Sequence, residues 1–205
     1  RKEFNIAENA NTYVNSVEPF ISEQFRMNAV KAIAISSVLI VLYVWLRFKS
    51  MHGLSAGVFA VLALLHDVVA MFTVYVIFRI PLNESFVAAM LTIIGYSIND
   101  TIVIYDRIRE NMKLMPKATY RELVNKSVLQ SLTRSINTSI TTLIAVLTLL
   151  VFSVIYNIQS IREFTMPLVV GIISGVYSTL FIASPLYMMW QERKFRKNAA
   201  KRAAG

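Results

Sequence analysis

The sequence contains five apolar blocks, each about 20 residues or longer, and these blocks constrain the fold more than any other feature. They cover residues 29–48, 54–78, 85–105, 135–155 and 165–189. A helix of about 20 residues crosses the roughly 30 Å hydrocarbon core of a bilayer, whereas open strands leave backbone groups unpaired in lipid. The chain of 205 residues, 56% of them hydrophobic, is therefore predicted to be an all-α, polytopic membrane protein with five transmembrane helices.

Basic residues mark alternate connections between these blocks. The segments after the first, third and fifth blocks are rich in Lys and Arg, whereas the other two connections hold only Arg79 and Arg162. By the positive-inside rule the rich segments face the cytoplasm. The N-terminus of the chain is then predicted outside, and its basic tail, residues 191–205, inside and next to anionic lipid. The net charge of +9 thus sets orientation and does not indicate a nucleic-acid partner.

The remaining segments complete the predicted organisation. Residues 1–27 are predicted to end an extracytoplasmic region, and residues 28–190 to form the membrane domain. Within that domain, residues 106–134 are predicted to be a cytoplasmic connection with an interfacial amphipathic helix. The absence of cysteine excludes disulfides, and two histidines do not make a familiar zinc site. No phosphate-binding loop, nucleophile elbow or HExxH pattern occurs, so no enzymatic activity and no metal site are predicted.

Asp100 lies inside the third apolar block, among the polar residues Tyr96, Ser97, Asn99 and Thr101. An ionised carboxylate near the bilayer centre costs roughly 2.5–3.5 kcal/mol, so such a residue usually faces a partner, a water-filled cavity or a proton path. Burial favours the neutral acid and a nearby guanidinium favours the carboxylate, and a site that combines both can exchange a proton. The alternative is a structural carboxylate tied permanently to an Arg. The polar neighbours either bond to another helix or orient a water chain.

Arg134 opens the fourth block and is the natural partner for Asp100. Consecutive helices joined by one connection bring the two residues to a similar depth, and arginine stays charged at any relevant pH. The alternative is that Arg134 is an ordinary anchor at a helix end. Residues at intervals of 4, 3, 4 and 3 form one polar, small-residue face of this helix: Arg134, Thr138, Thr141, Ala145 and Thr148.

Asp67 lies near the midpoint of the second block, on a stripe of small residues that lets helices approach closely in lipid. It is predicted to point at a neighbouring helix, either as a second relay carboxylate or as a polar tie. The preceding His66 projects about 100° away around the helix and is not predicted to pair with Asp67. In the fifth block, Gly171 and Gly175 favour tight packing, and Pro185 is predicted to kink the helix.

Several segments resemble one known family. Residues 95–111 read GYSINDTIVIYDRIREN, residues 131–139 read SLTRSINTS, residues 43–48 read YVWLRF, and residues 65–67 read LHD. In order and spacing these segments closely resemble the SecF family of bacterial protein-export membrane proteins, and the resemblance covers essentially the whole chain. Besides the acid and the arginine, the signature residues are Gly95, Tyr96, Ser97, Asn99, Thr101, Asp106, Arg107, Arg109, Glu110, Asn137 and Thr138.

The resemblance implies a fold and a function. The chain would hold the last five helices of a six-helix half of the resistance–nodulation–division type, and SecD, separate or fused upstream, would supply the other six. Such a subunit lies in the bacterial cytoplasmic membrane and uses the proton-motive force to help exported polypeptides leave the SecYEG channel. Protons are the coupling ion, and no other cofactor is implied. The family's intramembrane acid falls on Asp100 and its arginine on Arg134, while Asp67 is a weaker candidate for the relay.

Two other classes remain open from the sequence. The chain can be half of a proton-driven small-molecule exporter of the same superfamily, which a substrate-binding porter domain upstream would favour. It can also be a proton-inert scaffold that holds other translocase subunits. A scaffold would tolerate the near-isosteric change Asp100→Asn, and a proton relay would not.

Overall fold

The computed structural model describes residues 19–51, 53–80 and 82–203, and within these ranges the chain forms helices and no strand. The helices are α1 (Pro19–Arg47), α2 (Gly53–Phe78), α3 (Glu84–Leu114), α4 (Tyr120–Ile155), α5 (Gln159–Ser178) and α6 (Ser184–Ala203). A 3-10 turn, Lys49–Met51, follows α1, and a π-helical turn, Thr179–Ala183, joins α5 to α6. Five helices, the last formed by α5 and α6 together, are long and apolar enough to cross a membrane. The predicted all-α architecture with five spans is confirmed.

The helices of the third and fourth spans extend well beyond their apolar blocks. Only residues 115–119 separate α3 from α4, so residues 106–134 form no separate interfacial helix. A capping box fixes the start of α4, because the Thr119 hydroxyl accepts from the Glu122 N–H while the Glu122 carboxylate accepts from the Thr119 N–H. With 31 and 36 residues, α3 and α4 are about 47 and 54 Å long. Both therefore project past the hydrocarbon core at the end where Lys and Arg gather, here called the basic end.

The outer helices also run past their predicted limits. Helix α1 begins at Pro19 and α6 continues to Ala203, so part of the predicted extracytoplasmic segment and most of the predicted tail are helical. Residues 1–18 of the predicted segment 1–27 lie outside the described residues.

Helix α5 packs against α2, α3 and α4, and its glycines set the distance of approach. A Cβ at Gly171 would lie 2.5 Å from Cγ1 of Ile93 and 2.9 Å from the sulfur of Met71. A Cβ at Gly175 would lie 3.2 Å from the hydroxyl of Ser97. Any larger residue at Gly171 would push α5 away from α2 and α3, as expected for a tightly packed small-residue pair.

Two prolines interrupt the backbone bonding of the fifth span, and each interruption is accommodated. Pro167 lies inside α5 and has no N–H for the carbonyl of Glu163, four residues earlier. That carbonyl accepts instead from the Tyr75 hydroxyl of α2, at 2.7 Å. Near Pro185 the Ser184 N–H bonds to the carbonyl five residues back, which is the π pattern. The distortion predicted at Pro185 takes the form of this turn.

Replacing Tyr75 with Phe is expected to lower the free energy of unfolding by about 1–2 kcal/mol, because the Glu163 carbonyl then loses its donor. Adding Pro167→Ala supplies an N–H within α5 and is expected to recover at least half of the loss. Denaturation of each variant in mixed micelles measures both changes. If Tyr75→Phe is as stable as the parent protein, the Glu163 carbonyl does not depend on this donor.

Candidate functional site

Asp100 lies near the middle of α3, at the boundary with α4. Its Oδ1 accepts a hydrogen bond of 2.5 Å from the Ser135 hydroxyl. Its Oδ2 is inaccessible to solvent and has no hydrogen-bond partner among the described residues. Buried polar atoms in native proteins nearly always have a partner. One carboxylate oxygen is therefore held in place, while the other has no donor in the described part of the chain and can carry the proton of the neutral acid.

Arg134 precedes Ser135 on α4 and lies near enough to attract the Asp100 carboxylate. The two side chains, both among the described residues, form no direct ion pair within 4.0 Å. The predicted neighbours are thus close together, but the acid is not locked to the arginine. This geometry favours an exchangeable carboxylate over a permanently tied one.

A cavity of about 520 Å³ opens at the basic end and reaches Arg134. Its lining comes from the ends of α1, α3 and α4 and includes Arg47, Asp106, Arg107, Gln130, Ser131 and Arg134. Charged and amide side chains of this kind hold water. The cavity therefore provides a polar route from the basic end to the neighbourhood of Asp100.

The face of α4 that packs against α3 carries buried serines at four-residue intervals: Ser127, Ser131, Ser135 and Ser139. The Tyr96 hydroxyl donates to Ser139 at 3.1 Å, and the Asn111 amide donates to Ser127 at 2.7 Å. Small residues one turn apart let two helices approach closely in lipid. The spacing is visible in the sequence, but the sequence-based prediction singled out a neighbouring face of α4, about 80° around the helix.

That neighbouring face, which starts at Arg134, lies on the exposed surface of the bundle. Its three threonines donate their hydroxyls to carbonyls three or four residues earlier in α4, which satisfies a hydroxyl without a partner helix. The side chains of Asn99 and Asn137 are also exposed, and neither has a hydrogen-bond partner in the part of the chain that the structure describes. Lipid tails offer no such partner, so this face is suited to contact with protein.

Asp67 forms a second polar centre, fully buried between α2, α3 and α5. Its carboxylate accepts hydrogen bonds from three hydroxyls, those of Ser97 at 2.8 Å, Ser174 at 2.7 Å and Ser178 at 2.9 Å. As predicted, Asp67 points at neighbouring helices. Ser174 and Ser178 were not predicted as its partners, and only the small-residue character of α5 hinted at them. With both oxygens satisfied, the contacts of Asp67 favour the polar tie over a second relay carboxylate.

His66 and Ser97 both contact Asp67, and neither contact was predicted from the sequence. The prediction that His66 and Asp67 do not pair was wrong, because Nδ1 of His66 lies 3.3 Å from Oδ1 of Asp67. Ser97, expected beside Asp100, bonds to Asp67 instead. One turn further along α3, the hydroxyls of Thr101 and Thr179 lie 3.0 Å apart. Helix α3 thus presents one polar face to α2 and α5 and another, with Asp100, to α4.

The charged signature residues at the end of α3 tie helices together and lie away from Asp100. Asp106 pairs with Arg47 of α1 at 3.2 Å and with Arg109 at 2.7 Å. Arg107 pairs with Glu110 at 2.5 Å and donates to the side-chain oxygen of Gln130 on α4 at 2.8 Å. Gly95, by contrast, faces outward, and a Cβ there would have no neighbour within 4 Å.

Together, these features define a multi-pass membrane protein whose helices pack around two membrane-embedded carboxylates. A family model described as protein export membrane protein SecD/SecF, C-terminal, matches residues 2–193. The chain belongs to this family, which confirms the resemblance seen in the sequence.

Individual relatives agree with this assignment. Protein translocase subunit SecF of Alicyclobacillus acidocaldarius is 46% identical over 187 residues, which are 90% of this chain and 58% of that protein. Protein translocase subunit SecDF of Bacillus subtilis is 41% identical over 188 residues, 92% of this chain and 25% of that protein. A crystal structure of SecDF in a super-membrane-facing form is similar with a TM-score of 0.78 and 41% identity, over 87% of this chain and 23% of that one. The chain thus spans less than two thirds of each of these relatives.

Proposed function

We propose that this chain is the SecF-type part of a Sec translocase accessory complex that uses the proton-motive force to assist protein export. The observation that supports this most is the state of Asp100, with one oxygen held by Ser135, the other without a partner, and Arg134 nearby. A proton bound at Oδ2 would neutralise the carboxylate and remove its attraction to Arg134. The packing of α3 against α4 would then depend on whether the proton is present.

The distribution of Lys and Arg indicates how the chain is oriented in the membrane. We place the basic end in the cytoplasm of a bacterial cell and the opposite end, with the N-terminal side of α1, outside. A proton leaving Asp100 would then reach the cytoplasm through the cavity beside Arg134. No hydrolytic site and no cofactor other than the proton is needed in this scheme.

The available energy is comparable in size with the cost of such a switch. One elementary charge that crosses the membrane yields about 2.3 kcal/mol per 100 mV. Moving a two-state protein from 1:99 to 99:1 requires about 5.5 kcal/mol. One or two protons per cycle can therefore bias a conformational change.

The exposed residues Gly95 and Asn99 of α3 and Asn137 of α4 are proposed to contact SecD, either separate or fused upstream. Two exposed amides without partners need hydrogen-bonding groups that lipid does not offer, and an outward glycine lets another helix approach closely. The SecYEG channel and exported polypeptides are the further proposed partners, and nucleic acid is not one.

Replacing Gly95 with Leu is expected to reduce copurification of SecD about tenfold or more, because the new side chain would occupy the space of the partner helix. Within this chain a Cβ at Gly95 meets no atom, so helicity and thermal stability should stay at or above the parent level. Gly95→Ala serves as the matched control and should retain most of the association. Normal association of Gly95→Leu would place SecD on a different face.

The proton-binding step itself is tested by infrared difference spectra of the complex in vesicles as pH is varied. We expect a carbonyl band of a protonated carboxyl group that appears and disappears with pH and is missing in Asp100→Asn. Identical spectra for the two proteins would contradict the relay and favour the proton-inert scaffold.

A further inference from the structure

A second cavity, of about 590 Å³, opens at the basic end between α1, α2 and α6. None of its lining residues belongs to α3 or α4, so it is separate from the Asp100 site. Its wall is mostly apolar and includes Leu54, Val58 and Phe59 of α2. Both tryptophans of the chain, Trp45 and Trp190, also line it.

The charges of this cavity have one sign. Lys49 and Lys194 line it, and no acidic residue does. Both lysines are exposed, and within the described ranges neither has a hydrogen-bond or ion-pair partner. An apolar wall with two free ammonium groups is complementary to a molecule that carries both hydrocarbon and negative charge.

The position of the cavity in the bundle identifies that molecule further. Lys49 follows the end of α1 and Gly53 begins α2, so the cavity lies where these helices leave the apolar part of the bundle. Tryptophan side chains concentrate at the level of lipid headgroups, and lysine stems extend along apolar surface toward the same level. Trp190 packs edge-on against Phe59 with centroids 6.0 Å apart, which fixes one ring while leaving about half of the residue exposed.

We propose that this cavity is a binding site for one anionic phospholipid. The phosphate-bearing headgroup would lie between Lys49 and Lys194, and the upper part of an acyl chain would lie on the tryptophans and Leu54. Basic pockets between membrane helices on the cytoplasmic side are suited to anionic headgroups. The acyl chain of a zwitterionic lipid would contact the apolar wall equally well, but its headgroup would not neutralise the two lysine charges.

The two tryptophans provide a direct test. The complex with SecD, with tryptophans other than Trp45 and Trp190 replaced by Phe, is reconstituted in vesicles of phosphatidylglycerol and phosphatidylcholine. In one preparation the phosphatidylglycerol carries bromine in its acyl chains, and in a second preparation the phosphatidylcholine does. A brominated chain quenches tryptophan fluorescence on contact. We expect brominated phosphatidylglycerol to be preferred about fivefold over brominated phosphatidylcholine, and the preference to fall below about twofold in Lys49→Gln/Lys194→Gln.

A matched double variant, Lys126→Gln/Arg193→Gln, removes the same charge from the basic end without touching the cavity lining and should retain the preference. Equal quenching by the two lipids in the parent complex would overturn the proposal and leave only unselective boundary lipid. Absence of quenching by either lipid would also overturn it, since protein would then cover the cavity. Loss of the preference in the matched variant would show that net charge, and not this cavity, selects the lipid.

Discussion

Replacing Asp100 with Asn is expected to abolish the proton-driven part of protein export while leaving the complex assembled. Asparagine has nearly the same shape and can still accept the hydrogen bond from Ser135. It cannot bind or release a proton, and it does not carry the charge that Arg134 attracts. In inverted membrane vesicles, the increase in export caused by a proton gradient should fall about tenfold or more, because a switch without its coupling ion loses its bias.

Glu84→Gln is the matched control, since it also changes an acid into the corresponding amide in the same helix. Glu84 is exposed in the first turn of α3 and does not line the cavity beside Arg134, and a carboxylate at a helix N-terminus contributes only about 0.3–1 kcal/mol. We expect nearly normal export. A gradient-dependent increase that survives in Asp100→Asn, or that is lost equally in Glu84→Gln, would contradict the relay.

Hydropathy was sufficient to predict the class of protein and the five spans, because lipid leaves a chain few ways to satisfy its backbone. The role of small residues was also predictable, because small side chains let helices approach closely in lipid. Gly171 and Gly175 do allow close packing of α5, and Asp67 does point at its neighbours. Each of these features depends on the residue pattern within a single helix, and that pattern is visible in the sequence.

The lengths of α3 and α4 depend on two helices together and were not predictable in that way. A polar segment after Tyr105 is compatible with a loop, an interfacial helix or a continued helix. The continuation is stabilised where Asn111 and Arg107 of α3 both donate to the side-chain oxygen of Gln130 on α4. That pairing exists only after the two helices lie side by side.

The serine partners of both acids were missed for a related reason. A serine in a membrane helix can bond to its own backbone, so no single serine marks a site. Ser97 and Asp100 are three residues apart, and their side chains therefore point about 60° apart around α3. This difference is small on a helical wheel, yet it sends Ser97 to Asp67 and leaves Asp100 for Ser135.

Replacing Asp67 with Ala is expected to lower the free energy of unfolding by about 3–5 kcal/mol, because three buried hydroxyls lose their acceptor together. The loss is limited because Ser178 already shares its hydroxyl with the carbonyl of Gly175. Asp67→Asn keeps one acceptor oxygen and should cost about 1–2 kcal/mol. Denaturation in mixed micelles measures both values, with Asp106→Ala as a partly exposed control that should change stability by about 1 kcal/mol or less.

The same variants decide what Asp67 does in the complex. A polar tie needs an acceptor but no exchangeable proton, so Asp67→Asn should retain most of the gradient-dependent export that Asp100→Asn loses. Equal loss of export in the two Asn variants would make Asp67 a second relay carboxylate. Unchanged stability of Asp67→Ala would show that the three serines find other acceptors, and the tie would then be ruled out.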